Sequence, residues 1–304
     1  EGIRQGESDI WLMTRQFPLD ARLDYKIIVD GMYLLDPLNP RTQLGGFGPN
    51  SALHMPDYRY PAETLPRSGI AHGQLSEPFT LQSQALDYPV QYQVYTPVGY
   101  ETLANLPVIY ATDGQDYAHP EMGALPIVLD NLIADGAIQP VMAVFIDMRD
   151  PASGSNRRNS LLVANERFQQ FLINELIPAI DQTYRTRAAA DGRVILGTSL
   201  GGLHAAYTGL HHPDVFGMAA IYSPYFLAHP QALSDFATSE RLPLKVFMMQ
   251  GIYDFDVTNT RQLEKTLTEK GYVVKYIETS DGHSWGNWRG MMNDMLGFFF
   301  STEK

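Results

Sequence analysis

A serine hydroxyl attacks an ester only when a base takes its proton and the chain holds its oxygen clear of neighbouring atoms. One segment offers that arrangement. Arg193-Val194-Ile195-Leu196 is a short apolar, β-branched run that passes directly into Gly197-Thr198-Ser199-Leu200-Gly201-Gly202 and then into Leu203-His204-Ala205-Ala206. In a Gly-x-Ser-x-Gly string between strand and helix, the serine occupies a strained turn at the top of a sheet, and the flanking glycines let strand and helix approach. Ser199 is therefore the candidate nucleophile. A base and an orienting carboxylate must follow it in the chain, each on a loop after a later strand. The apolar run 244–249 ends in Gln250-Gly251-Ile252-Tyr253-Asp254, and the run 272–278 leads to Ser280-Asp281-Gly282-His283. Of the eight histidines, His283 alone follows a late strand and a glycine, which makes it the candidate base. Asp254 is the candidate acid. Asp256 shares its loop and stays open as the alternative, although it also suits the cap of a helix starting near Thr258. Asp281 reads as a turn residue. An oxyanion would be held by the backbone amide after the serine, on Leu200, and by a second amide on Gln115, in the Asp113-Gly114-Gln115 turn after an earlier strand.

Those loops need a sheet to carry them. Strands are expected at 78–87 and 89–96 as an antiparallel hairpin, then at 107–112, 141–146, 193–196, 218–222, 244–249 and 272–278. Helices are expected at 121–134, 165–184, 199–210, 231–237, 259–270 and 288–300. Such alternation implies a mostly parallel sheet covered by helices on both faces. Before it, residues 36–78 are crowded with Pro and Gly, the mark of loops and a linker. Two earlier runs, 9–15 and 23–29, read as strands, the second closing on a Val29-Asp30-Gly31 hairpin turn. The chain accordingly divides into a partial β domain with its linker over 1–72 and a catalytic domain over 73–304. The front segment resembles the second half of an early-set, carbohydrate-binding-module-like β-sandwich, and it is a possible surface for oligomer formation.

Composition removes several classes of function. With 304 residues, 44% apolar and 18% charged, the chain is an ordinary globular one. A net charge of −12 repels phosphate backbones, so nucleic acid is not an expected partner. There are no cysteines, which rules out disulfides, thiolate metal sites and a cysteine nucleophile. No apolar run is long enough to span a membrane. A start at Glu1 reads as processed or trimmed, which leaves the compartment open. His211 and His212 fall where a helix ends and read as helix-terminal residues, and Asp113, Asp116 and His119 read as a polar rim; no metal site and no cofactor are expected. Met291, Met292 and Met295 with Phe298 to Phe300 read as core contacts of the last helix.

The run 106–110 with Asp113-Gly114-Gln115, the Gly197–Gly202 elbow, Gly251, Asp254, Asn259, and Gly282-His283 with Trp285, Trp288 and Arg289 together resemble the esterase family that contains enterochelin (ferric enterobactin) esterases and the related feruloyl and acetylxylan esterases. The resemblance covers most of 78–300. It implies an α/β-hydrolase fold and a serine carboxylic-ester hydrolase working through an acyl-enzyme on a small-molecule or glycan-linked ester. Tyr225 and Phe226, after the strand 218–222, are candidates for lining an acyl or aryl pocket. Trp285 and two cations, Arg157 and Arg289, are the other candidate substrate contacts, with Arg149 and Arg158 near Arg157 and Asp147 and Asp150 opposing them. Enterochelin-type members carry an Arg-x-x-Glu pair where this chain has Arg157 followed by Ser160. That departure favours a hydroxyaromatic or acyl ester over a ferric siderophore. Other readings are an acyltransferase, in which an alcohol resolves the acyl-enzyme, and a non-catalytic binding protein on the same fold.

Overall fold

The computed structural model describes residues 2–302. Its front segment holds strands β1 (Ile3–Arg4), β2 (Trp11–Leu12), β3 (Arg22–Tyr25), β4 (Ile27–Val29), β5 (Met32–Leu34), β6 (Thr42–Gly45) and β7 (Gly48–His54). They form two small hairpins, β1 with β2 and β4 with β5, and a three-stranded sheet ordered β3-β7-β6. The expected strand 9–15 shrinks to β2. The expected strand 23–29 is divided between two sheets, because the chain leaves β7 after Tyr25 and pairs Ile27–Val29 with Met32–Leu34 instead. The hairpin turn holds, with Asp30 and Gly31 both at positive φ (49° and 79°), as a two-residue turn of matching twist requires.

Strands β8 (Gln74–Leu75), β9 (Phe79–Gln82), β10 (Pro89–Thr96), β11 (Val108–Ala111), β12 (Met142–Ile146), β13 (Arg193–Thr198), β14 (Met218–Tyr222), β15 (Lys245–Gly251) and β16 (Val273–Thr279) build one sheet in the order β16-β15-β14-β13-β11-β12-β10-β8, with β9 paired to β10. The six strands β11 to β16 run parallel. β10 is antiparallel to both β9 and β12. The alternation of side chains along each central strand explains why both faces must be covered. Tyr110, Val144, Ile195, Ile221 and Met248 face one core, beneath the helices Glu166–Phe171 and Leu200–His211. Ile109, Phe145, Leu196, Tyr222 and Phe247 face the other, beneath Leu125–Ala134 and Met292–Phe300.

Three helices depart from expectation. The one expected from residue 121 begins at Leu125, because Ala124 has φ 51° and Pro126 occupies the first turn. Residues 166–183 stay helical but pass through a π-type segment, Leu172–Leu176. The last helix is two: Trp285–Gly290, capped by the Ser284 side chain accepting from Asn287 N, and Met292–Phe300, with Met291 out of helical geometry between them. No helix of the described residues is long and apolar enough to cross a membrane.

The sheet order places β12 on one side of β11 and β13 on the other. The chain therefore reverses its direction of growth at β11, and ligands of such sheets bind above the carboxyl ends of the strands at such a reversal, here β11 and β13. Asp113-Gly114-Gln115 and Ser199 both follow those ends.

Candidate active site

Ser199 lies between β13 and the helix Leu200–His211 at φ 59° and ψ −119°, a backbone region that costs energy and persists only under strong local constraint. The constraint is visible. Ser199 N donates to Tyr222 O at 2.9 Å, and Ser199 O accepts from Tyr225 N at 3.0 Å and Leu203 N at 3.0 Å. A Cβ on Gly197 would overlap the backbone of Gly201, and one on Gly201 would stand 2.7 Å from Thr112 Oγ1. Gly197→Ala should therefore cost about 3 kcal/mol of stability, the upper range for overpacking; a denaturation midpoint within 0.2 M of the parent at unchanged slope would contradict it.

Beneath the turn lies an ion pair that the sequence did not disclose. Arg158 Nε donates to both oxygens of Asp113 at 2.8 Å, and its Nη2 donates to Thr198 O at 2.9 Å. Asp113 is buried; desolvation pushes its carboxyl up and the Arg158 guanidinium opposes the rise. Arg158 is thus spent on holding the residue before Ser199. Gln115 sits in the short helix Gly114–Ala118, and its side chain accepts from Met148 N at 3.3 Å. The first N–H groups of a helix have no acceptor in their own helix, so the Leu200 and Gln115 amides are donors at two helix starts. The polar rim expected from Asp113, Asp116 and His119 is only partly one: Asp113 is internal, while burial pushes Asp116 up to about 6.

His283 Nδ1 lies 2.8 Å from Asp254 Oδ2. The Asp254 side chain is wholly buried and its other oxygen accepts from Phe255 N at 2.7 Å. An imidazole that donates Nδ1–H to a carboxylate keeps Nε2 as a proton acceptor. The ring is held between Phe255, at 4.6 Å between centroids, and Trp288, edge-on at 4.9 Å. Trp288 Nε1 in turn donates to Ser223 Oγ at 2.9 Å. Asp256 is engaged elsewhere: it accepts from Leu227 N and from Asn259 Nδ2. It does occupy the cap position of the helix Val257–Glu269, but its side chain makes no capping bond there, which corrects the expected cap. Asp281 is not a simple turn residue. It is buried and paired with Arg22.

The five candidate substrate contacts separate. Tyr225 stays half-buried beside the elbow and meets Phe255 edge-on at 5.3 Å. Phe226 is wholly buried in the core. Trp285 is buried edge-on against Tyr117 and Trp288. Arg289 is also buried: its Nη1 donates to Glu121 O and its Nη2 to Gln43 Oε1, and Tyr60 lies over its guanidinium. Arg157 pairs with Asp150 and lies over the Tyr88 ring. Each expected entrance cation is thus committed within the protein, Arg149 to Asp147 included. Sequence reading missed Phe255, 58% exposed beside the imidazole; its place directly after the candidate acid was the available signal. Phe17 of the front segment also reaches this region, edge-on to Tyr253 at 5.6 Å.

A cavity of about 430 Å³ lies away from these residues, lined by Gln169, Tyr207, His211 and His212 among others; His211 closes its helix and His212 caps it. Among the described residues, no group of three His, Asp or Glu side chains is placed to hold a metal ion.

Residues 83–299 match the model of the protein family described as "Putative esterase". The chain is 28% identical over 252 residues to an endo-1,4-beta-xylanase/feruloyl esterase of Xylanibacter ruminicola, covering 76% of this chain and 33% of that one. It is 28% identical over 232 residues to an iron(III) enterobactin esterase of Dickeya dadantii, covering 70% of this chain and 52% of that one. It therefore spans about a third and about half of those relatives. A crystal structure of the enterobactin esterase from Shigella flexneri in the presence of enterobactin superposes with a TM-score of 0.79 at 25% identity, over 98% of this chain and 82% of that one.

Proposed function

The chain belongs to the esterase family whose model spans residues 83–299, and we propose that it is a serine carboxylic-ester hydrolase acting through an acyl-enzyme on a neutral hydroxyaromatic or acyl ester. In this reading Ser199 Oγ attacks the ester carbonyl while His283 Nε2 takes its proton, and Asp254 holds the imidazole in the required tautomer. The Leu200 and Gln115 amides receive the negative charge of the tetrahedral intermediate. Collapse breaks the bond to the alcohol oxygen, which leaves with the proton from His283. Water then repeats the sequence on the acyl group, releasing the acid and Ser199. The observation that carries the reading is the 2.8 Å His283–Asp254 hydrogen bond on loops that follow β15 and β16, in the same sheet whose β13 presents Ser199 at positive φ.

The preference for a neutral ester rests on charge and on aromatic surface. A ferric catecholate siderophore is a polyanion, and a protein of net charge −12 admits one only through a local excess of cations. Arg149, Arg157 and Arg158 are each paired with a carboxylate and Arg289 is buried. The Tyr225–Phe255 pair beside His283 instead suits a ring. A ferric siderophore ester is the second reading, favoured by the superposition of nearly the whole chain, front segment included, on the Shigella flexneri enzyme.

A side-by-side panel of aryl, feruloyl, acetyl-glycan and ferric catecholate esters separates them. Highest kcat/KM is expected on an aryl or feruloyl ester, with less than about a twofold change from roughly 0.05 to 0.5 M salt, because a neutral substrate leaves no ionic attraction to screen. Highest activity on the ferric complex, falling steeply with salt, would reverse the assignment.

A further inference from the structure

We propose that Arg22, from the front β segment, is a positioning residue for the loop that presents His283. This rests on the reading of His283 as the base. Arg22 is 3% exposed and touches the loop on both sides of that histidine. Its backbone N donates to Ser280 O at 3.1 Å. Its Nη1 donates to Ser284 Oγ at 2.7 Å and lies 3.4 Å from Asp281 Oδ2, while Nη2 donates to Asp24 Oδ1 at 2.5 Å.

The contacts continue into the catalytic loops. Asp281 O accepts from Tyr253 N, next to Asp254. Asp281 Oδ1 accepts from Gly282 N at 2.6 Å, and Gly282 O accepts from Asn287 Nδ2 at 3.0 Å. One guanidinium thus links the front sheet to the loop of the base and, through Asp281, to the loop of the acid. Room has been left for it: a Cβ on Gly286 would overlap the guanidinium carbon. The charges agree with the geometry. Burial pushes Asp281 up to about 7, and Arg22, with the Gly282 amide, opposes the rise.

A base must stand within about 0.5 Å of its productive position, and its support decides whether it does. Misplacement by about 1 Å costs about 10²-fold in rate. Arg22 of the front segment therefore acts on the reaction through the position of His283.

The full chain is assayed on a nitrophenyl ester. Arg22→Gln and Gly286→Ala should each lower kcat by about 10²-fold with KM within about twofold, and should weaken the downfield proton NMR signal of the His283–Asp254 hydrogen bond. Arg22→Lys, which keeps the charge but loses the planar fork, should recover part of the loss. Arg193→Gln is the control: it breaks another largely buried ion pair, with Asp181 at 2.6 Å, at the opposite end of a strand. It should lower the unfolding midpoint and keep kcat within about twofold. If Arg22→Gln does not accumulate as folded protein, Arg22→Lys and Gly286→Ala decide on the same readouts: parental kcat and an unchanged downfield signal in both would overturn the proposal. A folded Arg22→Gln with parental kcat and an unchanged downfield signal would overturn the proposal, while loss of activity in Ser199→Ala would still uphold the triad. Failure of the parent to hydrolyse any ester or to react with a fluorophosphonate would overturn the triad reading itself.

Discussion

Replacing Ser199 by alanine is expected to lower turnover by about 10⁶-fold, the loss seen when a triad serine is removed. Folding should be almost untouched. Alanine meets the same positive φ as serine, so the strain of the turn is unchanged, and the hydrogen bonds that hold the turn all use Ser199 backbone atoms. Among the described residues the hydroxyl has no bonded partner, so its removal orphans nothing and stability should stay within about 0.5 kcal/mol. Steady-state turnover beside a thermal melt checks both halves. Residual activity above about one per cent would remove Ser199 from the role of nucleophile.

The second large effect is expected at Asp254. In Asp254→Asn the one remaining side-chain oxygen is claimed by Phe255 N, which donates to Asp254 Oδ1 at 2.7 Å, so the amide NH2 takes the place of Oδ2 facing His283 Nδ1. Donating there, it forces the ring proton onto Nε2 and leaves no acceptor for the serine proton. The loss should approach about 10⁴-fold in kcat. Asp256→Asn, two residues on, should leave kcat within a few-fold and cost about 1 kcal/mol, because a carbonyl replaces only one of the two oxygens now bonded to Leu227 N and Asn259 Nδ2. Parallel kinetics and melts on the two variants decide, and the opposite ranking would transfer the orienting role to Asp256.

What could be read in the sequence was whatever local pattern determines. The apolar runs that became β11 to β16 declared themselves by alternation and β-branched content, and the turn after β13 by the spacing of its glycines. The order of the loops singled out the two that meet in the His283–Asp254 contact, while leaving the choice of Asp254 or Asp256 open. What escaped reading was long-range pairing. Nothing near Arg289 says that it will bond Glu121 and Gln43, 168 and 246 residues away. Without that knowledge a charged residue six positions after the base looks like an entrance cation. The burial of Phe226 and Trp285 escaped reading for a related reason: an aromatic residue shortly after a strand suits a pocket wall and a core equally, and only distant packing decides. The splitting of the run 23–29 was likewise fixed by partners on other strands, since Lys26 is the only local sign of a break.

Long-range pairing also bears on when the proposed esterase would become active. Arg22 and Asp281 lie 259 residues apart in the chain, and contacts of such separation close late because the intervening chain must first be ordered. During synthesis at roughly 5 to 20 residues per second, the turn of Ser199 emerges seconds before His283, which the proposed triad needs to activate it. The front strand waits longer still for the loop it braces. A nascent or prematurely terminated chain ending before His283 carries a serine with no proton acceptor. On the proposed triad, hydrolytic power therefore arrives only once residue 283 has been made and its loop has docked, and chains that stop short of it are expected to be inert toward esters.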